Sequence, residues 1–141
     1  MSWLALAYSS VPTRPMSTVE LGHLLLKARM FNAQVGVSGV LLYDSQHFLQ
    51  YLEGPPEGVE TVWQRVSASP LHGELQVLLR ETVAERLFPD WQMGCAEAPA
   101  SLLQRLANDQ WRISLAVAQQ RQPQASALAL LREFWQSAGA R

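Results

Sequence analysis

The sequence predicts an α+β fold, in which a mostly antiparallel β-sheet carries two helices on one face in the ferredoxin-like style. Predicted strands and helices follow one another in the order βαββαββ, between about residues 3 and 97. The second and third strands are separated only by Asp44-Ser45-Gln46, a short polar turn that is typical of an antiparallel hairpin. Each helix has one apolar stripe, which favours packing of both helices against a shared sheet.

The first strand is predicted at about 3–10, where successive side chains alternate between two faces. Tyr8 and Ser10 therefore lie on the same face as Leu6. A tyrosine at the inner end of a strand is ordinarily part of the core, with its hydroxyl group at a polar edge.

The first helix is predicted at about 17–33. Ser17 followed three residues later by Glu20 is the signature of a capping box. The apolar residues recur three and four positions apart. This stripe comprises Leu21, Leu24, Leu25, Ala28 and Phe31. Asn32 lies on or beside the stripe, either as a C-terminal cap or as a polar group on the inner face.

The third strand contains the most informative residue of the chain. Strands are predicted at about 36–44 and 46–53, and in the later one Gln50 lies between Phe48 and Leu52 on one face. A buried carboxamide needs partners for two donor hydrogens and one acceptor oxygen, and without them it costs roughly 2 kcal/mol or more. A polar partner is therefore expected inside, which for a lone glutamine is usually neighbouring backbone.

The second helix is predicted at about 56–68, after Gly54-Pro55-Pro56-Glu57, where proline and an acidic residue suit a helix start. Arg65 lies at the flank of its inner stripe, and the helix is expected to end at Ser69-Pro70. The stripe comprises Val59, Val62, Trp63 and Val66.

Strands at about 74–82 and 91–97 complete the predicted sheet, and two amphipathic helical segments follow within 99–141. These segments are expected to cap the free face of the sheet, because an open apolar sheet face is a liability. A dimer contact or a partner helix are the alternatives. Their apolar positions are Leu102, Leu103, Leu106, Ile113, Val117, Leu128, Leu131 and Trp135.

Composition disfavours several classes of function. The 141 residues carry a net charge of −1 with 16% charged residues, so no basic field indicates nucleic acid or a membrane surface. No basic leader precedes the first strand, and no apolar run reaches the roughly 20 residues of a membrane span, so a cytoplasmic protein is expected.

Cys95 is the single cysteine and is expected to be a buried structural thiol. The histidines lie on separate elements without ligand spacing, so no metal site is expected.

Two pairs of residues outside the candidate site also carry expectations. His47 and Tyr51 occupy the odd positions of the third strand and are expected on its less buried face. Glu85 and Arg86 are expected to form a surface ion pair rather than a catalytic one.

Polar residues lie on the inward faces of three adjacent predicted elements. Any one of these residues, taken singly, has an ordinary structural explanation, such as a contact with the backbone or a helix cap. Tyr8, Asn32 and Gln50 together suggest a flat ligand with polar edges, held in an apolar sleeve.

Four segments of the chain, taken in order, resemble the BLUF family of short flavin-binding blue-light sensors. They are Leu6-Ala7-Tyr8-Ser9-Ser10; Phe31-Asn32 with Gly36-Val37-Ser38-Gly39-Val40-Leu41-Leu42-Tyr43; Phe48-Leu49-Gln50-Tyr51-Leu52-Glu53-Gly54; and Glu85-Arg86-Leu87-Phe88-Pro89-Asp90-Trp91-Gln92-Met93. Each segment is a weak signal, but the ordered set over about residues 3–97 is specific. The expected domains are a flavin-binding photosensor at 1–98 and a helical extension at 99–141.

The resemblance implies a non-covalent flavin between the two helices, FAD or alternatively FMN. It implies that Asn32 holds the pyrimidine edge of the ring and that Gln50 lies between the ring and Tyr8. Tyr8 would donate an electron and a proton when light is absorbed, and the carboxamide of Gln50 would return rotated or tautomerised. The oxygen and the nitrogen of a carboxamide have nearly the same size, so exchanging their positions barely changes the shape of the side chain.

The resemblance assigns further roles around this centre. Arg65 would face the phosphate side of the ligand. Ser10 would bond to Trp91 or its backbone in one signalling state, and Trp91 and Met93 would compete for the place beside Gln50. The other implied flavin contacts are Phe31, Leu25, Ala28 and His72.

The implied protein is a receptor and not an enzyme, and it would signal by contact with a separate, unknown protein or by self-association as a homo-oligomer. Ser69 and Leu71 depart from the acidic residue and the arginine common in the family, which leaves FAD and FMN open. A light-independent interaction module is the main alternative. An acylphosphatase-like hydrolase is disfavoured, because Pro12 and Pro15 interrupt the loop where a phosphate would need backbone donors.

Overall fold

The computed structural model describes residues 2–44, residues 46–86 and the backbone of residues 94–97. Its elements are β1 (Trp3–Pro12), α1 (Thr18–Gln34), β2 (Ser38–Tyr43), β3 (Phe48–Gly54), α2 (Pro56–Ala68), β4 (His72–Val83) and β5 (Gly94–Glu97). This order confirms the predicted βαββαββ pattern. Trp91, Met93, the side chain of Cys95 and the predicted C-terminal helices lie outside the described residues.

The five strands form one sheet in the order β4-β1-β3-β2-β5. Neighbouring strands are antiparallel except for β2 and β5, which are parallel. In the register of the three central strands, Tyr8 of β1 lies opposite Gln50 of β3, and Gln50 lies opposite Leu41 of β2. The strand alternation that was read from the sequence is therefore confirmed at the residues on which the site depends.

Both helices pack on the sheet face that carries Tyr8 and Leu52. Leu21 of α1 and Val62 of α2 belong to the same buried cluster as these two strand residues. The α+β sandwich with two helices on one face is confirmed. Within the parts of the chain that the structure describes, neither helix is long and apolar enough to cross a membrane.

The N-terminus of α1 has the predicted capping box. The Ser17 hydroxyl accepts a hydrogen bond from the Glu20 backbone N–H at 3.1 Å, and the Ser17 N–H donates to the Glu20 carboxylate at 3.4 Å. Two backbone donors that the helix leaves without a partner are satisfied in this way.

The C-terminus of α1 ends in a tight turn that fixes the backbone of Asn32. The C-cap is Val35, and Gly36 adopts a φ of 73°, a left-handed conformation that favours glycine. The Asn32 carbonyl accepts hydrogen bonds from the N–H groups of Val35 at 3.2 Å and of Val37 at 2.9 Å. The C-cap residue is therefore Val35 and not Asn32.

The second face of the sheet is also buried, which corrects one prediction. Tyr51 and Glu53 are fully buried on β3, although Tyr51 was expected on a less buried face, whereas His47 is exposed as expected. All seven residues of β3 are buried, so burial does not alternate along this strand. Burial raises the pKa of Tyr51 above its usual value, and the nearby Glu53 carboxylate raises that pKa further.

Arg86 does not form the expected surface pair with Glu85. Its guanidinium donates to the Gly36 carbonyl at 2.9 Å and to the Ser38 hydroxyl at 3.3 Å, and it lies 4.2 Å from the centre of the Trp3 ring. Arg86 therefore joins the segment after β4 to the turn that ends α1, while Glu85 is exposed.

Candidate functional site

An open cavity lies between α1, α2 and the sheet face that carries Tyr8. Its empty volume, which includes open solvent at the mouth, is about 790 Å³. Its lining comprises Tyr8, Leu24, Leu25, Ala28, Phe31, Asn32, Leu41, Phe48, Gln50, Val62, Arg65, Val66, Ser69 and His72.

All eight residues predicted to contact the ligand line this one cavity. They are Tyr8, Asn32, Gln50, Arg65, Phe31, Leu25, Ala28 and His72. Leu24, Phe48, Val62 and Val66 also line it, and all four lay on inward stripes or faces that the sequence had shown. Ser69, which the resemblance placed on the phosphate or ribityl side of the ligand, lines the cavity as well. The lining position of Leu41 was missed, because it follows from the β2–β3 register.

The polar end of the cavity is built by β1 and β3. The Tyr8 hydroxyl donates a hydrogen bond to Gln50 Oε1, and both side chains are buried. Burial raises the pKa of Tyr8 far above its ordinary value, so the phenol stays protonated and acts as a donor at neutral pH. Because Gln50 turns its oxygen to Tyr8, its amide nitrogen is directed away from the tyrosine.

Asn32 brings a second carboxamide to the cavity. It lies in the last turn of α1 and is only 1% exposed. Two hydrogen bonds to its own carbonyl fix its backbone, and Asn32 lines the cavity.

His72 is the first residue of β4 and packs beside the Tyr8–Gln50 pair. Its ring is edge-on to Tyr8, with the ring centres 6.1 Å apart, and its Nδ1 atom lies 2.8 Å from the Ser10 hydroxyl oxygen. Burial lowers the pKa of His72, so its ring is neutral at pH 7. Ser10 thus has His72 as its partner, while Trp91, the partner that the resemblance implied, lies outside the described residues.

A cation stands at the mouth of the cavity. The Arg65 guanidinium lies 4.4 Å from the centre of the Phe31 ring, a cation–π contact between the two helices. Arg65 itself is exposed, so its charge faces the solvent-open end of the cavity. A ligand with an anionic tail would find a counter-charge there.

The lining fits a flavin by its chemistry. Leucine, valine and alanine side chains of both helices suit the faces of a planar aromatic ring. Two buried carboxamides supply donors and acceptors for a ring edge that carries carbonyl and imide groups. The cation at the mouth suits a phosphate, so the residues present fit each part of such a molecule.

The pairing of Tyr8 with Gln50 also provides a switchable element. A carboxamide offers an oxygen on one side and an NH₂ group on the other, and the two ends have nearly the same size. Rotation exchanges acceptor for donor without repacking the cavity. Such a change alters hydrogen bonds by about 1 kcal/mol each, which is enough to shift a two-state equilibrium.

Comparison with known proteins identifies similar sequences and the same fold. A family model described as sensors of blue light using FAD matches residues 4–94. The chain is 33% identical over 92 residues to the β subunit of photoactivated adenylate cyclase from Euglena longa, a match of 64% of this chain and 11% of that protein. It is 37% identical over 57 residues to a blue light- and temperature-regulated antirepressor of Escherichia coli K12, a match of 40% of this chain and 14% of that one.

Solved structures agree with these matches. The dark-state structure of BlrB, a BLUF protein, superimposes with a TM-score of 0.68 at 30% identity, over 74% of this chain and 83% of that one. The ground state of BlsA superimposes with a TM-score of 0.66 at 27% identity, over 77% of this chain and 72% of that one. The chain thus spans most of these structures but only a small part of the curated relatives named above.

Proposed function

The chain belongs to the BLUF family of blue-light sensors, and we propose that it senses light through Tyr8 and Gln50, with a flavin held between α1 and α2. The observation that carries this proposal is the buried hydrogen bond from the Tyr8 hydroxyl to Gln50 Oε1 at the polar end of the cavity. A bound flavin supplies the absorption of blue light and an acceptor for one electron.

The residues of the chain hold and orient that group. Asn32 binds the pyrimidine edge of the ring, and Leu25 and Ala28 of α1 cover one face of it. Two observations support this assignment: Asn32 is buried, and Asn32, Leu25 and Ala28 all line the cavity. The buried sheet face excludes water from the polar end, where a competing water would weaken each hydrogen bond.

Tyr8 and Gln50 form the switch. In the dark, the protonated phenol of Tyr8 donates to Gln50 Oε1. Rotation of the carboxamide brings Gln50 Nε2 to the Tyr8 oxygen, which then accepts, and turns Oε1 toward the cavity. On excitation, Tyr8 would lend one electron and one proton to a bound flavin, and it would take both back before the rotated state is established. The two orientations fill the same space, so the change is one of hydrogen bonds.

Ser10 and His72 support the switch from the side. Their hydrogen bond of 2.8 Å and the edge-on contact of the His72 ring limit the positions open to the Tyr8 ring. We propose that Trp91 and Met93 receive the change of Gln50, as the family resemblance implies for these positions.

We propose FAD as the flavin. Arg65 at the open mouth supports a ligand whose phosphates leave the cavity, and the family description names FAD. One related structure was solved with FMN, which stays the alternative. Release of the ligand by heat, followed by chromatography against both standards, distinguishes them.

The output is proposed to be another protein. In the Euglena relative the matching segment is 11% of a chain named as an adenylate cyclase subunit. The matched region of the present chain is a sensory domain, and no reaction is assigned to it. We place it in the cytoplasm, in keeping with a single cysteine among 141 residues.

Absorption spectroscopy tests the function. Purified protein, loaded with flavin, is expected to be yellow, to shift its flavin band to longer wavelength under blue light and to recover in darkness. A protein that binds flavin without any spectral response would support the light-independent module instead. The hydrolase alternative is not supported, because Ser10 and Pro12 lie within β1, paired with β3 and β4, where a phosphate-binding loop would be required.

A further inference from the structure

The outward face of α1 is apolar, although the solvent side of a surface helix usually carries charge. Val19, Leu26 and Met30 are 70%, 59% and 60% exposed. At about 100° per residue these positions fall on one line along the helix, with Gly22 and His23 between them. This line lies opposite to the stripe that packs on the core, so α1 is apolar on both sides.

The exposed hydrophobic residues are concentrated on this line. Among the large apolar side chains exposed in the described part of the chain, only Val77 of β4 lies elsewhere. Scattered exposed apolar residues need no explanation, but a contiguous patch on one helix indicates a contact surface.

We propose that this outward stripe, defined by Val19, His23, Leu26 and Met30, is a self-association surface, on which a second copy of the chain packs the same stripe in the antiparallel direction. A two-fold axis makes such a contact isologous, so the stripe must be complementary to itself.

The order of residues along the stripe meets this requirement. With the two-fold axis at the middle of the stripe, Val19 lies against Met30 of the second copy, and His23 lies against Leu26 of the second copy. Every large side chain then has a counterpart. Gly22 lies close to the centre of the stripe and has no side chain, so the two helices can approach closely there. Within the chain itself, a Cβ atom added at Gly22 would meet no other atom within 4 Å, so this position is open to a second copy.

The charges beside the stripe select the antiparallel direction. Glu20, which pairs with Arg14 at 2.7 Å, lies on the same flank of α1 as Lys27. In an antiparallel pair this flank meets itself, and Glu20 of each copy lies beside Lys27 of the other. A parallel pair would instead place Lys27 beside Arg29 of the second copy, twice, and like charges at that spacing repel.

The expected association is weak. A helix of 17 residues is about 26 Å long, and one such contact buries less than the roughly 800 Å² per partner of a standard interface. The dimer should therefore form and dissociate with concentration rather than persist at high dilution.

Sedimentation equilibrium of the flavin-loaded full chain tests the surface. Leu26→Glu is expected to weaken dimerisation by about tenfold or more, because it places a charge at the centre of the stripe. Val77→Glu makes the same chemical change at an exposed apolar residue on β4, and is expected to dimerise like the wild type. A retained flavin spectrum shows that each variant is folded. A wild type that stays monomeric at every concentration, or a Leu26→Glu variant that dimerises normally, overturns the proposal.

Disulfide trapping tests the direction in a Cys95→Ser background. The double variant Val19→Cys with Met30→Cys is expected to form a covalent dimer on mild oxidation. Val19→Cys alone is not, because the two thiols of an antiparallel pair would be about 16 Å apart. Efficient cross-linking of the single variant would establish a parallel pair and contradict the proposed geometry.

Other occupants of the stripe give different results. A monomeric wild type that binds phosphatidylserine vesicles, with binding lost in Leu26→Glu, would assign the stripe to a membrane surface. Binding of an acidic amphipathic peptide by a monomeric protein would assign it to a partner helix. Either outcome overturns self-association at this face.

Discussion

Replacing Tyr8 with phenylalanine removes one hydroxyl group from the buried pair that it forms with Gln50. The flavin should stay bound, because the hydrophobic ring and the cavity are unchanged, but the light-induced shift of the absorption band should be lost. The hydroxyl donates to Gln50 Oε1, and Tyr8 and Gln50 are only 1% and 6% exposed. Leaving that oxygen without its donor is expected to cost about 1–3 kcal/mol of the free energy of unfolding, or roughly 3–10 °C in Tm.

The same strand provides a matched control. Tyr51 follows Gln50 on β3 and points to the opposite face, and its ring is buried as deeply as that of Tyr8. Tyr51→Phe therefore removes an equally buried hydroxyl group and should cost a similar amount of stability, while the light response survives. Dark and illuminated spectra of both variants, recorded at equal flavin occupancy, make the comparison. An undiminished shift in Tyr8→Phe would refute the role of the Tyr8–Gln50 pair. Loss of the shift in both variants would show that removal of any buried hydroxyl group abolishes the light response, so that the effect is not specific to Tyr8.

Three further results are expected. Asn32→Ala removes a buried carboxamide from the cavity and should lower the affinity for flavin by about tenfold while the fold persists. Titration followed by flavin fluorescence measures this affinity, and an unchanged affinity would contradict the binding role of Asn32. Gly36→Ala should lower the free energy of unfolding in urea by about 1 kcal/mol, because φ at this residue is 73°. The new Cβ atom adds no clash, since its nearest contact, with Pro55, is an ordinary 3.5 Å. An unchanged free energy would exclude backbone strain there. The pKa of His72 is lowered by burial, so the unfolded chain binds its proton first as pH falls. Stability should therefore decrease from about pH 7 to pH 5 more steeply in the wild type than in His72→Gln, and identical slopes would show that His72 does not titrate on unfolding.

Much of the site could be predicted because its residues lie on regular elements. Strand alternation placed Tyr8 and Gln50 on one face, and helical spacing placed Leu25 and Ala28 on the inner side of α1; the structure brings all four to one cavity. The capping box at Ser17 is likewise a local pattern, set by residues three positions apart.

The errors, and the contacts that were not predicted, concern residues that are far apart in the chain or the layers that cover a sheet. Ser10 meets His72 because β1 and β4 are neighbours in the sheet, which alternation within one strand does not reveal. Tyr51 was placed on a less buried face because a strand pattern shows which residues share a face but not what covers that face, whereas all of β3 is buried. Arg86 binds the Gly36 carbonyl, a contact across 50 positions that no local rule predicts.

Nuclear magnetic resonance of the Gln50 side chain tests the central claim most directly. The flavin-loaded protein, with glutamine side chains labelled by ¹⁵N, is measured in darkness and under blue light, and Gln50→Leu identifies the relevant NH₂ signals by their disappearance. The signals of Gln50 are expected to move on illumination and to return in darkness, while those of exposed glutamines such as Gln64 stay fixed. Unchanged Gln50 signals in a protein whose bound flavin does respond to light would contradict the account.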